Sequence, residues 1–426
     1  MLIRFRAENS HSFRQLGEIS LVRSSLKGPN VADFPVPQMG SERLLPCALI
    51  YGANASGKSN FLRAFSFFRA AILNSHSMGD PDGGVPRTRF ELSDDTDRES
   101  TLEADFVSEN VRYTFGFSCN DKAFTEEWLY SFPEGKKRVL YERKDKSVDF
   151  GSKFLGPKKQ LVDFMRSNSL FISTATQNDH PELSGLVKFF RGVSLIEEIA
   201  VPGAMINHDL AEEEVDPRVI GFLGFVGTGI SNYQLATHEM PDEFKAFSRG
   251  LMNLAKKSFG GKVELGGLDE GINKVLKLSH FGEDGAEYFL DIDRESSGTR
   301  RLIYLMKRVF RALDSGGVLF VDEVDASLHS LAAEEIVKLF LNADTNPNGA
   351  QLIATTHDTN LLSCSNIRRD QIWFCERGEF GASELYSLAE ISSRPTDNFE
   401  KGYLEGRYGA IPYSGDVGLL FGGGIA

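Results

Sequence analysis

"IYGANASGKSNFLRAF", residues 50–65, runs from an apolar strand end through a glycine-punctuated loop into an apolar helix. Gly52, Ala53, Asn54, Ala55, Ser56, Gly57, Lys58 and Ser59 match the phosphate-loop pattern G-x-x-x-x-G-K-[ST] in full, with Asn60 completing the candidate nucleotide-binding stretch. "CALIYG" (47–52) reads as a short buried strand and "NFLRAFSFFRAAIL" (60–73) as a helix, the flanks this loop requires. Backbone N–H groups of such a loop curl around phosphates, and the helix N-terminus adds partial positive charge. Lys58 is expected to reach the β- and γ-phosphates of ATP, and Ser59 to ligate Mg2+. The loop alone leaves the class open, because GTPase switches, kinases, helicases and ABC-type ATPases all carry one.

A second stretch narrows it. "VLFVDEVDASLH" (318–329) reads as a buried strand ending in Asp322 and Glu323. One acid at the carboxyl end of a strand beside a phosphate loop can hold the metal's water shell, and the next can polarise an attacking water. A helix cap after a strand would explain one acid, not two. A small GTPase would need N-K-x-D to read its base, and the nearest match, "NKVL" (273–276), lacks the aspartate. The long separation between Ser59 and Val318 implies an inserted lobe.

"ESSGTRR" (295–301) decides between the remaining classes. Ser296, Ser297, Gly298 and Thr299 place small donors and free N–H groups at the start of an amphipathic helix, "GTRRLIYLMKRVFRAL" (298–313). That is a second phosphate-binding device. One chain has one γ-phosphate to hold, so the second device is expected to act on the ATP of a partner subunit. "LIATTHD" (352–358) ends another strand with His357, placed to donate to a γ-phosphate and sense it. Gln177, in "FISTATQND" (171–179), is a candidate link between Mg2+ and the inserted lobe.

The composition fits these readings. The chain has 426 residues, 41% apolar and 25% charged, as in an ordinary soluble globular protein. Its net charge of −13 disfavours a broad nucleic-acid-coating face. The densest basic runs, "GKKRVLYERKDK" (135–146) and "GPKK" (156–159), read as solvated loop charges. Four scattered cysteines without a CxxC pair argue against zinc and disulfides and fit a reducing cytosol. The N-terminus lacks the apolar run of a signal peptide and no stretch is apolar for long enough to span a membrane, so a cytoplasmic location is expected.

Periodicity gives an α/β organisation. Residues 1–25 read as a strand pair, 76–99 as a loop and 101–150 as an antiparallel sheet. Residues 157–275 read as mainly helical, including "LSGLVKFFRGVSLI", "DLAEEEVDP" (209–217) and "PDEFKAFSRGLMNLAKKSF". From 287 the order strand–helix–strand–helix–strand demands a parallel sheet covered by helices, with "TNLLSCS" opening one helix. The expected divisions are 1–156 and 287–395 for the two parts of a core, 157–286 for a helical insertion and 396–426 for a tail.

Together these elements resemble the ABC-type ATPase heads of the SMC/RecF/OLD group. More closely, the chain is similar to the AAA-type ATP-binding proteins, or ATP/GTP phosphatases, of bacterial abortive-infection and anti-phage systems such as PARIS. The likeness extends to the tail "KGYLEGRYGAIP" (401–412). It implies an ABC-type P-loop NTPase head with a mixed β-sheet core, an antiparallel β subdomain and an inserted helical lobe. It further implies a homodimer or an assembly of dimers, ATP and Mg2+ as cofactors, and Glu323, Lys58 and His357 in catalysis. By resemblance, Asp325 is the D-loop residue at the dimer face, His357 the switch histidine, Ser296 and Gly298 part of the signature, and Gln177 the Q-loop residue. Such families often open with N-[FY]-[RK]-S-[FY], and here Asn9-Ser10-His11-Ser12-Phe13 puts histidine in the basic position, with Arg14 nearby. Nuclease activity is not expected: Asp291 and Asp293 form a D-x-D that reads as strand, and the chain beyond His357 is short for a Toprim domain. The relatives imply that the chain senses infection and controls a separate effector protein, often of Toprim type, the alternatives being a DNA-binding repair ATPase of RecF type and an ATP-dependent assembly scaffold with little turnover.

Overall fold

The computed structural model describes residues 1–37, 39–197, 206, 215–239, 272–364, 366–394 and 397–411. In chain order, β1 (Leu2–Glu8) and β2 (Gly17–Ser20) form a hairpin, and β3 (Phe34–Pro35) with β4 (Arg43–Leu44) a small ribbon. β5 (Cys47–Tyr51) leads into helix α1 (Lys58–Asn74). Five strands follow: β6 (Ser100–Ser108), β7 (Val111–Cys119), β8 (Phe124–Ser131), β9 (Arg138–Lys144) and β10 (Ser147–Phe150). Helices α2 (Lys159–Phe164), α3 (Phe171–Gln177) and α4 (Pro181–Arg191) precede β11 (Ser194–Ile196). Then come α5 (Pro217–Phe225), β12 (Tyr233–Glu239), β13 (Ile272–Phe281), β14 (Glu287–Asp291) and α6 (Ser297–Ser315). The chain continues through β15 (Val318–Val321), α7 (Ser330–Leu341), β16 (Gln351–Thr355), β17 (Ile372–Arg377), β18 (Ser383–Ser387) and α8 (Phe399–Leu404).

Two compact units result. One comprises Met1–Glu197, Ala312–Asp325 and Ala333–Ala426, the other Glu198–Arg311 and Ala326–Ala332. The first holds two sheets. An antiparallel sheet runs β10-β9-β8-β7-β6-β1-β2, and a mixed sheet runs β11-β15-β16-β5-β17-β18. In the mixed sheet every neighbouring pair is parallel except β17 with β18. β5, β15 and β16 are buried at every position, as strands covered on both faces must be.

Helix α1 carries the core. Phe65 lies 5.0 Å from Phe5 of the antiparallel sheet and stacks at 4.1 Å on Phe320 of the mixed sheet (centroid distances). Phe68 meets Phe5, Phe115 and Phe117. The apolar residues of this helix are thus locked between two sheets, each buried ring contributing about 1.5–3 kcal/mol. The residues at its N-terminus inherit that rigidity.

The structure redraws the expected insertion. Residues 157–197 belong to the first unit, because Phe190 of α4 packs on Phe68 and Phe106, Arg69 Nε donates to its carbonyl, and β11 pairs with β15. "LSGLVKFFRGVSLI" is therefore a helix ending at Arg191, then a strand. The second unit is not simply helical: β12, β13 and β14 form an antiparallel sheet, with Leu276 and Leu278 buried on either side of the half-buried Lys277. Residues 209–214 and 241–259 of the expected helices, and the tail from Pro412, lie outside the described residues. "TNLLSCS" makes one 3-10 turn, Thr359–Ser363, rather than a longer helix. The basic run at 135–146 is not all solvated: Arg143 pairs with Glu127, both side chains fully buried. Glu127 also accepts from Tyr141 and from the Phe171 and Ile172 N–H groups, which satisfies orphan donors at the start of α3.

Candidate active site

Parallel pairing puts the carboxyl ends of β5, β15 and β16 on one edge, with β16 between the other two. The loop after β5 turns into α1 at Gly57, whose φ of 111° lies in the region that favours glycine. A Cβ there would sit 2.0 Å from Ser383 Oγ, so the close approach also requires glycine. Lys58 is buried, and its Nζ donates to the carbonyls of Gly52 at 2.8 Å and Ala53 at 3.1 Å. Burial pulls its pKa below the ordinary lysine range, opposed by the charges of Glu323, Asp322 and Asp325. Asn54 and Ala55 form the exposed tip of the loop.

The acid pair faces this loop. Ser59 Oγ donates to Asp322 Oδ1 at 3.0 Å. Thr355 Oγ1 donates to the same oxygen at 2.6 Å and accepts from the Glu323 N–H at 2.7 Å. Glu323 has φ 50°, a left-handed conformation that costs a non-glycine residue about 1–2 kcal/mol. Its Oε1 lies 3.8 Å from His357 Nε2. The His357 N–H donates to the Asp325 carboxylate, 3.3 Å from each oxygen. A cationic loop, a metal-type oxygen pair, a candidate base and a histidine thus converge from three chain segments.

Residues 47–363 match the family described as "AAA domain, putative AbiEii toxin, Type IV TA system". The chain belongs to this family. No curated protein matches it. Among solved structures it is similar to the SMC head domain from Thermotoga maritima, at 11% identity and a TM-score of 0.39, covering 91% of this chain and 98% of that one. Residues 47–363 are thus an AAA domain, and the phosphate-loop pattern at 52–59 makes it one of the P-loop ATPase type.

Other sequence candidates fall elsewhere in this AAA domain. Ser296–Thr299 belongs to the second unit, at the N-terminus of α6. Ser296 Oγ accepts from the Thr299 N–H at 3.0 Å, so it acts as a helix cap, while Ser296 and Ser297 remain exposed. Gly298 is required by close approach: a Cβ would lie 2.4 Å from the Ser327 carbonyl. Gln177 is the last residue of α3, exposed, and makes no hydrogen bond to Ser59 or Asp322 among the described residues. Asp291, in the D-x-D, pairs with Lys277 at 3.1 Å.

Sequence reasoning missed a clamp behind the phosphate loop. Asn60 Nδ2 donates to Ser12 Oγ at 3.0 Å, and Ser383 Oγ is 2.7 Å from the same oxygen. Ser383 Oγ and Cys375 Sγ also contact the Ser56 carbonyl. Burial pushes the Cys375 thiol up to about 11, which keeps the S–H proton it donates there. Ser12 was within reach of sequence reasoning, as a neighbour of His11 in the N-terminal motif. Ser383 and Cys375 carry no local signal.

His11 itself has φ 53°, and its N–H donates to Thr88 O at 2.8 Å. Burial, then the nearby Arg63 charge, pull its pKa down to about 4. Below its ordinary value of 6.5 the unfolded chain takes up this proton, whereas the folded chain resists until about pH 4. Stability contributed by neutral His11 is therefore full above that window and falls with pH across it. His11→Asn, which tolerates the left-handed backbone, should flatten the dependence of Tm on pH between those values, read by thermal melts at stepped pH.

Proposed function

We propose that this AAA domain binds ATP with Mg2+ and hydrolyses it at an interface between two copies of the chain, using the nucleotide state to control a separate effector. The observation that carries the reading is the acid pair beside the phosphate loop, with Ser59 bonded to Asp322 and His357 facing Glu323. The Ser59 hydroxyl and Asp322 carboxylate are the hard oxygen donors that Mg2+ takes. Among the described residues no three His, Cys, Asp or Glu side chains cluster as a metal site, so the phosphates would complete the coordination. Held by Ser59 and Asp322, Mg2+ would supply neutralisation of the phosphate charge.

The chain's own residues supply the rest. Lys58 exchanges its loop carbonyls for phosphate oxygens, retaining charge-assisted hydrogen bonds. Glu323 accepts the proton of the attacking water, and His357 donates to the γ-phosphate. The exposed Ser296 and Ser297 at the start of α6 serve the ATP held by a second copy. Closure on ATP and opening after its loss form a two-state element whose bias an effector can read. The family's description as a putative AbiEii toxin of a type IV toxin–antitoxin system supports a defence role. Among the described residues no helix is long and apolar enough to cross a membrane.

Light scattering with ATP and Mg2+, against ADP and Mg2+, tests the interface. The mass should double, or shift between multiples of a dimer, with ATP. An unchanged mass alongside normal turnover sinks the two-copy site.

A further inference from the structure

Thr355 is fully buried and ends β16, two residues before His357. Its two side-chain contacts fix the position of the hydroxyl proton. The Glu323 backbone N–H can only donate, so Oγ1 accepts from it at 2.7 Å. The hydroxyl's own proton then goes to Asp322 Oδ1 at 2.6 Å. One hydroxyl thereby bonds to both members of the acid pair, as a carboxylate donor on one side and a backbone acceptor on the other.

The surrounding bonds make this a register rather than a single contact. The Val324 N–H donates to the Thr355 carbonyl at 3.0 Å, and the Asp325 carboxylate accepts from the His357 N–H. Residues 322–325 and 355–357 are thus joined position by position. Glu323, at φ 50°, is where the first strand leaves regular geometry, and its N–H is what Thr355 holds.

We propose that Thr355 is a positioning residue for ATP hydrolysis: its hydroxyl orients the Asp322 carboxylate toward Ser59 and holds Glu323 in the left-handed conformation that places its carboxylate beside His357. This rests on the reading of Glu323 as the base. Thr355 is fully buried with its hydroxyl bonded to the acid pair, so its effect passes through Asp322 and Glu323. Valine has the same shape and strand preference but cannot bond to either acid, and serine keeps the hydroxyl.

The test compares Thr355→Val and Thr355→Ser in steady-state phosphate release, nucleotide titration and thermal melting, alone and combined with Glu323→Gln. Thr355→Val should lower kcat about 10–100-fold while the Kd for ATP changes by less than about threefold. Thr355→Ser should stay within about threefold of the unsubstituted kcat. In the Glu323→Gln background, Thr355→Val should add little, as expected for residues acting as one unit. Thr355→Ala gives the same reading where valine does not pack. Normal kcat in Thr355→Val, equal impairment by serine and valine, or a loss in affinity rather than kcat each overturn the inference. A kcat insensitive to Glu323→Gln, or an unsubstituted protein without turnover, instead overturns the reading beneath it, and the inference with it.

Discussion

Glu323→Gln slows ATP hydrolysis by about 10²–10⁴-fold, the usual contribution of a positioned general base, and leaves ATP bound. Glutamine keeps the volume and the neutral hydrogen-bonding capacity of the side chain but cannot take a proton. The backbone of residue 323 is held by Thr355 through its N–H, so the substitution leaves the left-handed turn in place. Asp322, with Ser59 and Thr355 bonded to its carboxylate, keeps the metal-side geometry. The loss should therefore appear in kcat and not in the Kd for ATP, and ATP-bound assemblies should accumulate. Single-turnover phosphate release and nucleotide retention on a sizing column measure both halves. Unaltered turnover removes Glu323 from the chemistry.

Lys58→Met weakens ATP binding by about 10²-fold. Methionine keeps most of the apolar stem that is buried at this position and removes all three donors. Lys58 Nζ holds two loop carbonyls in the structure, and phosphate oxygens would offer it stronger, charge-assisted partners. Hydrogen bonds to charged groups contribute about 1.5–3 kcal/mol each, so losing one or two corresponds to roughly one to four decades in Kd. The Gly52 and Ala53 carbonyls also lose their donor, which loosens the loop before any nucleotide arrives. Calorimetric titration with ATP and Mg2+ measures the change, and an unaltered Kd places the phosphates elsewhere. This signature differs from that of Glu323→Gln, where affinity persists and turnover is lost.

Much of this site was legible because its signals are local. The loop from Gly52 to Ser59, the strand end at Asp322 and Glu323, and the strand end at His357 each combine a residue type with a periodicity switch in a short window. Parallel pairing follows from the alternation of strands and helices, and it brings those strand ends to one edge whatever the details of packing. The inserted unit was less legible. Its β13 alternates apolar and polar residues only over 276–279, too short a run to stand out after a longer stretch that reads as helical. At α4, "FFRGVSLI" concealed the change from helix to edge strand, because β11 is three residues long and too short for an alternation to register.

The sequence by itself determined the chemistry on offer: a phosphate loop, two consecutive acids, a histidine at a strand end and a capped helix start. It also determined the parallel order, since each of these features depends on residues adjacent in the chain. Only the tertiary structure decided that β16 lies between β5 and β15, and so that Thr355 bonds to both acids while Asp325 holds the backbone of His357. Only it joined Ser12, Asn60 and Ser383 behind the loop, residues from both ends of the chain with no shared local pattern. The physical reason is range. Periodicity and capping are set by neighbours a few residues away, whereas a buried hydroxyl finds its partners through the packing of α1 between two sheets, which no short window encodes.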